Sequence, residues 1–151
     1  MRELILLVGP SGSGKSTYAK AHFDDDAHVI ISSDDIRKEI LKNATDQSQN
    51  ALIFNVAHIR ARIAMDAGKT AVLDATNIRS TERREAIKKT GAEYVTALVF
   101  MPGETVSKER NLMRRRHVPE YVISKQYQIL QQDLELLKSE CDHIEYVETA
   151  N

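Results

Sequence analysis

The stretch Leu4-Ile5-Leu6-Leu7-Val8-Gly9-Pro10-Ser11-Gly12-Ser13-Gly14-Lys15-Ser16-Thr17 decides the fold. Its apolar run, Leu4 to Val8, reads as a strand buried on both faces, as a parallel sheet provides. Three of the six glycines in the chain, Gly9, Gly12 and Gly14, follow immediately. Gly9 to Ser16 fits G-x-x-x-x-G-K-[ST], whose glycines let backbone N–H groups curl around phosphate oxygens without interference from a Cβ. A helix opening at Lys15 adds the partial positive charge of its N-terminus. Gly9, Ser11, Gly12, Ser13, Gly14, Lys15, Ser16 and Thr17 are therefore the expected ATP-binding residues. Lys15 should reach the β and γ phosphates, and the Ser16 hydroxyl should ligate Mg²⁺. A dinucleotide fingerprint is disfavoured, because Thr17 stands where the third glycine of G-x-G-x-x-G belongs.

Outward from this loop, strands and helices alternate. Lys15 to Phe23 reads as a helix, Val29 to Ile31 as a strand, and Asp34 to Asn43 as a helix with Ile36, Ile40 and Leu41 on one face. After a polar loop, a helix begins at Ala51. Its Leu52, Ile53, Val56, Ile59, Ile63 and Ala64 form an expected core stripe, and Gly68 marks its end. Thr70 to Leu73 is the next strand. Ser80 or Thr81 can cap a charged helix ending near Gly91, and Tyr94 to Phe100 is an apolar, β-branched strand. A helix over about 105–114 follows. Pro119 then starts another, whose stripe of Val122, Ile123, Tyr127, Leu130, Leu134 and Leu137 lasts to about Ser139. Ile144 to Val147 closes the chain as a strand. The expectation is an α/β domain spanning 1–151, a phosphate-loop NTPase-type parallel sheet with helices on both faces. Ligands should bind outside the carboxyl ends of its strands.

Apolar residues make up 42% and charged residues 28% of the chain, so it can bury a core. A net charge of -1 excludes gripping nucleic acid by overall positive charge, and any polyanion contact must be local. No apolar stretch approaches the roughly 20 residues of a membrane-spanning helix, so no membrane partner is expected. The N-terminal apolar run begins too early for a charged leader, which implies a cytoplasmic protein. The single cysteine, Cys141, offers no intramolecular disulfide, and no disulfide-linked partner is expected.

A phosphate loop alone does not separate a kinase from a switch, so the carboxylates and arginines beyond the later strands carry the next inference. Asp34 follows the second strand and could take the proton of an acceptor hydroxyl. Arg37, one helical turn on, could hold an anionic part of that acceptor. The plainer alternative is an Asp-capped helix with a solvated arginine. Asp74 ends the third strand, where a carboxylate can hold Mg²⁺ through water; Asn77 and Arg83 lie just beyond. Arg110, Arg114, Arg115 and Arg116, then His117, form the densest positive segment. It reads as an arginine-bearing helical lid over about 105–120.

Taken together, GPSGSGKST, SSDDIRKE, VLDATNIRSTERR and ERNLMRRRHVPEYVI resemble the phage-type and bacterial end-healing 5′-hydroxyl polynucleotide kinases, in the same order, from about Leu4 to Leu137. The resemblance implies ATP-dependent transfer of the γ-phosphoryl group to the 5′-OH end of DNA or RNA. It places the general base at Asp34 and the contact to an acceptor phosphate at Arg37. Arg114 becomes the lid clamp on ATP, with Arg116 as a second clamp. Arg83 falls among the acceptor-side residues, and Asp74 takes a metal-associated role. Several such enzymes carry a phosphatase module with D-x-D-G-T, a motif this chain lacks, so separate phosphatase or ligase modules are the expected partners. Two other readings stay open. A small-molecule phosphate-loop kinase would prefer free nucleosides or sugars, and a nucleotide-binding switch would bind ATP without phosphorylating any alcohol.

Overall fold

The computed structural model describes residues 1–114 and 118–148. In chain order the elements are β1 (Glu3–Val8), α1 (Lys15–His22), β2 (His28–Ser32), α2 (Ser33–Leu41), α3 (Asn50–Asp66) and β3 (Thr70–Asp74). There follow α4 (Ser80–Thr90), β4 (Tyr94–Phe100), α5 (Glu104–Leu112), α6 (Glu120–Asp133), a 3-10 turn (Leu134–Leu136), α7 (Leu137–Glu140) and β5 (His143–Val147). The last expected helix is thus broken at Leu134, where its stripe bends into the turn.

All the described strands run parallel, in the order β2-β3-β1-β4-β5. The register sets Ser32 opposite Asp74 and Asp74 opposite Leu7, so β1, β2 and β3 end at one level. This rim carries the loops that follow each strand, where a doubly wound sheet offers its crevice. Period-2 alternation sends Leu4, Leu6 and Val8 to one face, packed with residues of α2, α3, α4 and α6. Leu7 points to the other face, with Val72, Leu98, Phe100 and Ala19 of α1. Among the described residues, no helix is long and apolar enough to cross a membrane.

The structure corrects the reading of α3. Leu52, Ile59 and Ile63 are 43%, 60% and 64% exposed, whereas Ile53, Ala57, Ala61, Ala64 and Met65 are buried. The helix approaches the sheet through its alanines, which permit close backbone packing, and so rotates the larger branched residues outward. Hydrophobic period identifies a helix, but here two apolar stripes compete and small size decides between them.

Arg83 also requires a correction: it does not line an acceptor surface. It is 0% exposed and forms an ion pair of 2.7 Å with the buried Glu140 of α7. Its two terminal nitrogens donate to the carbonyls of Asn77, at 2.9 Å, and Asp133, at 3.0 Å. Glu140 also accepts from the Ser80 hydroxyl, and Asp133 accepts from the Ser80 N–H at 2.8 Å, capping α4 from outside that helix. Each nitrogen of the guanidinium thus has a partner, and those on Glu140 and Asp133 fasten α4 to the ends of α7 and α6. Removing one partner of a buried pair strands the other, at about 3–5 kcal/mol. Glu140→Ala should therefore lower stability by about 3 kcal/mol in urea unfolding. A loss within ~0.5 kcal/mol, the range of ordinary surface substitutions, would show that the pair is not an anchor.

Candidate active site

The loop after β1 is held open by backbone geometry that only glycine adopts without strain. Gly12 has φ +78° and Gly14 φ +95°. A Cβ on Gly12 would stand 2.2 Å from the Ser107 carbonyl oxygen of α5. The first residue of the loop is fixed by the third strand's extension, because Gly9 N–H donates to the Thr76 carbonyl at 2.9 Å. Asn77, itself at φ +50°, sends Nδ2 to the Leu7 carbonyl at 2.8 Å. The segment Asp74 to Asn77 therefore ties the ends of β1 and β3 together.

Lys15 lies inside this arrangement, only 8% exposed. Its ammonium donates to the Pro10 carbonyl at 2.9 Å and to Ser13 Oγ at 3.4 Å. Burial pulls its pKa down to about 8, partly opposed by the Asp74 carboxylate and reinforced by Arg114. Asp74 is buried as well, and desolvation pushes its carboxyl above the usual range against the pull of Lys15 and the Ser16 hydrogen bond. Ser16 Oγ donates to Asp74 Oδ2 at 2.7 Å. A hydroxyl and a carboxylate at that spacing are hard oxygen donors of the kind Mg²⁺ takes alongside water and substrate phosphates. Among the described residues there is no group of three or more His, Cys, Asp or Glu side chains placed to hold a metal ion. The residues present thus fit ATP with Mg²⁺: a glycine cradle, a buried ammonium, and a paired hydroxyl and carboxylate.

Beside this lies the second cluster. The Ser32 hydroxyl caps α2 by accepting from the Asp35 N–H at 3.2 Å, which sets Asp34 in the first turn. Asp34 Oδ1 accepts from Arg37 Nη1 at 2.9 Å, and its Oδ2 faces Arg114 Nη2 at 3.6 Å. Each oxygen of this carboxylate is therefore matched to a different guanidinium, one from α2 and one from the segment after α5. Arg37 is 5% exposed; its Nη2 donates to Asn50 Oδ1 at 3.0 Å and it lies over the Phe54 ring. Its Nε is buried with no hydrogen-bond partner among the described residues.

Lys15, Ser16, Asp34, Arg37, Asp74 and Arg114 thus converge at the rim, while Arg83 is turned into the core. Arg116, like Arg115 and His117, lies outside the described residues. α5 is braced on the loop: Arg110 Nη1 donates to the Ser13 carbonyl at 3.2 Å. Asn111 holds the chain on either side of Arg114, donating to the Val118 carbonyl at 2.6 Å and accepting from its N–H at 2.9 Å. Sequence reasoning missed Asn50, Asn111 and Gln126, whose Oε1 accepts from the Ser11 N–H at 2.8 Å. Single amides on helices carry no spacing signal. Asn77 takes a left-handed backbone, which asparagine tolerates.

Fold and site define a phosphate-loop α/β domain. The chain belongs to the AAA domain family, which it matches over residues 4–137. Among solved structures it is similar to a chain of the Pnkp1/Rnl/Hen1 RNA repair complex, with TM-score 0.79 and 22% identity over 89% of this chain. It spans about half of that longer chain, 46%. It is also similar to a gluconokinase from Sinorhizobium meliloti, with TM-score 0.64 and 19% identity, covering 100% of this chain and 86% of that one. A shikimate kinase from Acinetobacter baumannii, in complex with shikimate, gives TM-score 0.61 and 16% identity over the same shares, 100% and 86%. At these identities the likeness is one of fold. No curated protein matches the chain.

The buried lysine makes stability depend on pH in a defined direction. Below about pH 8 Lys15 is charged in both folded and unfolded chains, and its burial is a cost. Between about 8 and the ordinary value of 10.5 the unfolded chain binds more protons, so stability rises with pH, by at most about 1.4 kcal/mol per unit. Urea unfolding of the wild type and Lys15→Met across that window should show the wild type gaining on the variant. A difference that stays flat with pH means that Lys15 titrates as an exposed lysine does.

Proposed function

We propose that this chain is an ATP-dependent polynucleotide 5′-hydroxyl kinase, transferring the γ-phosphoryl group of ATP to the 5′-OH end of DNA or RNA. The observation that carries the reading is the pairing of the Asp34 oxygens with Arg37 and Arg114 beside the Lys15 loop. A hydroxyl acceptor needs a carboxylate at the place of attack, an anchor for its own phosphate, and a cation over the transferring group. Asp34, Arg37 and Arg114 are one residue for each.

In the proposed reaction the 5′-hydroxyl oxygen forms a bond to the γ phosphorus. The bond from that phosphorus to the bridging oxygen breaks, ADP leaves, and the hydroxyl proton passes to Asp34. Lys15 and Arg114 offset the charge on the phosphoryl oxygens. Ser16 and, through water, Asp74 would hold Mg²⁺, which when bound neutralises charge on the phosphates. The buried, unpartnered Nε of Arg37 supports an anionic acceptor, since a donor left dry is satisfied by an incoming phosphate oxygen. The same proposal puts the work in the cytoplasm beside separate phosphatase or ligase modules, and the fold shared with a chain of an RNA repair complex supports a repair setting.

One observation favours the small-molecule alternative: Arg37 lies so deep, at 5% exposure, that a compact anion reaches it more easily than a polymer does. The two readings separate in one assay. The chain is given γ-labelled ATP, Mg²⁺ and 5′-OH DNA and RNA oligonucleotides beside free nucleosides and sugars. Label should appear on oligonucleotide 5′ ends, and transfer should weaken with salt through acceptor affinity. Asp34→Asn should slow it by about 10²- to 10⁴-fold while ATP affinity holds. Label confined to small alcohols would transfer the assignment to the alternative, and equal losses of rate and ATP affinity in Asp34→Asn would remove its role as base.

A further inference from the structure

The phosphate loop has no ladder of its own. Between the end of β1 and the start of α1, Ser13 N–H reaches the Pro10 carbonyl at a long 3.3 Å, and Ser11 N–H is turned outward. That outward N–H is taken by Gln126 Oε1 at 2.8 Å, from a helix 115 residues further along the chain. Gln126 makes no other hydrogen bond among the described residues. Its helix is itself well held. Ile123 and Leu130 are fully buried, and Tyr127 Oη accepts from the Gly103 N–H at 3.0 Å and shares a hydrogen bond with Ser107 Oγ at 2.9 Å. Ser107 in turn is the residue whose carbonyl lies against Gly12. Residues 123, 126, 127 and 130 share one face of α6, so the turn of helix that packs into the core also meets the loop.

We propose that Gln126 is a positioning residue: it presets the phosphate loop in its receiving curl before nucleotide arrives, and a carboxamide is required there because the ligand is an anion. A carboxylate would accept the same N–H bond but set a full negative charge beside the triphosphate. An apolar side chain would leave the Ser11 N–H to solvent and remove the loop's tie to α6. The charge requirement rests on the ATP reading given above; the clamp itself does not.

Amide exchange by NMR in the nucleotide-free protein tests the clamp, and calorimetric titration with ATP and with ADP tests the charge requirement. Gln126→Met, similar in length but a poor acceptor, should speed exchange at the Ser11 amide by about tenfold, as expected for the loss of one hydrogen bond. Amides of β1 and β4 should be unchanged, and ATP affinity should fall by about three- to tenfold. Gln126→Glu should restore slow exchange at Ser11 yet weaken ATP more than ADP, because ATP carries the larger negative charge. Unchanged Ser11 exchange in Gln126→Met overturns the clamp, and wild-type ATP affinity in Gln126→Glu overturns the charge requirement. If Gln126→Met does not fold, Ser11 exchange and the ATP-to-ADP comparison in Gln126→Glu decide the matter. A wild-type protein that binds neither nucleotide removes the phosphotransferase reading, and with it the charge requirement, while the exchange result still decides the clamp.

Discussion

A charged amine closed off from water beneath an anion-receiving loop is the constraint on which the rest of this structure depends. An isolated buried ammonium is far too costly to keep, so acceptors and negative charge must be brought to it. The loop provides the Pro10 carbonyl and Ser13 Oγ, and β3 provides Asp74. The carboxylate of Asp34, from the start of α2, adds its field. These groups are far apart in sequence and share a rim only because β1, β3 and β2 lie side by side, in parallel, with Leu7, Asp74 and Ser32 in register. Sheet order and electrostatics are thus one requirement. A slip of one residue in β3 would turn the Asp74 side chain to the opposite face and leave the lysine uncompensated.

What could be read from the sequence follows from how local each signal is. The run Leu4 to Val8 and the glycines after it are contiguous, and each has one physical use, so strand, loop and helix N-terminus were legible together. The parallel sheet followed from alternation, and Asp34, Arg37 and Asp74 followed from their places just past strand ends. The errors arose where a partner far away in sequence decides the matter. Arg83 sits in a charged helix and looks solvated or substrate-facing until Glu140, 57 residues on, is seen to close over it. In α3 a stripe of leucine and isoleucine competes with a stripe of alanines, and the sheet takes the smaller residues because they allow a closer approach. Gln126 was invisible for the same reason: an amide's use depends wholly on what stands opposite.

Arg37 and Arg83 show how two arginines alike in residue type and burial differ in how fully the fold satisfies them. Both guanidiniums are almost dry, at 5% and 0% exposure. Arg83 has its Nε and both terminal nitrogens committed to Glu140, Asn77 and Asp133, all groups of the protein itself. No nitrogen of its guanidinium is without a partner. Arg37 has its terminal nitrogens on Asp34, Ser33 and Asn50 but its Nε unmatched, and Asp34 is 39% exposed at the rim. Folding alone thus leaves Arg37 incomplete beside an open carboxylate. A buried donor that the protein does not satisfy is a standing cost, and such a cost persists where something outside the chain completes the set. Arg37 thus differs from Arg83 not in burial but in the donor that the described fold leaves over, and that donor lies on α2 beside the neighbouring turn of α3.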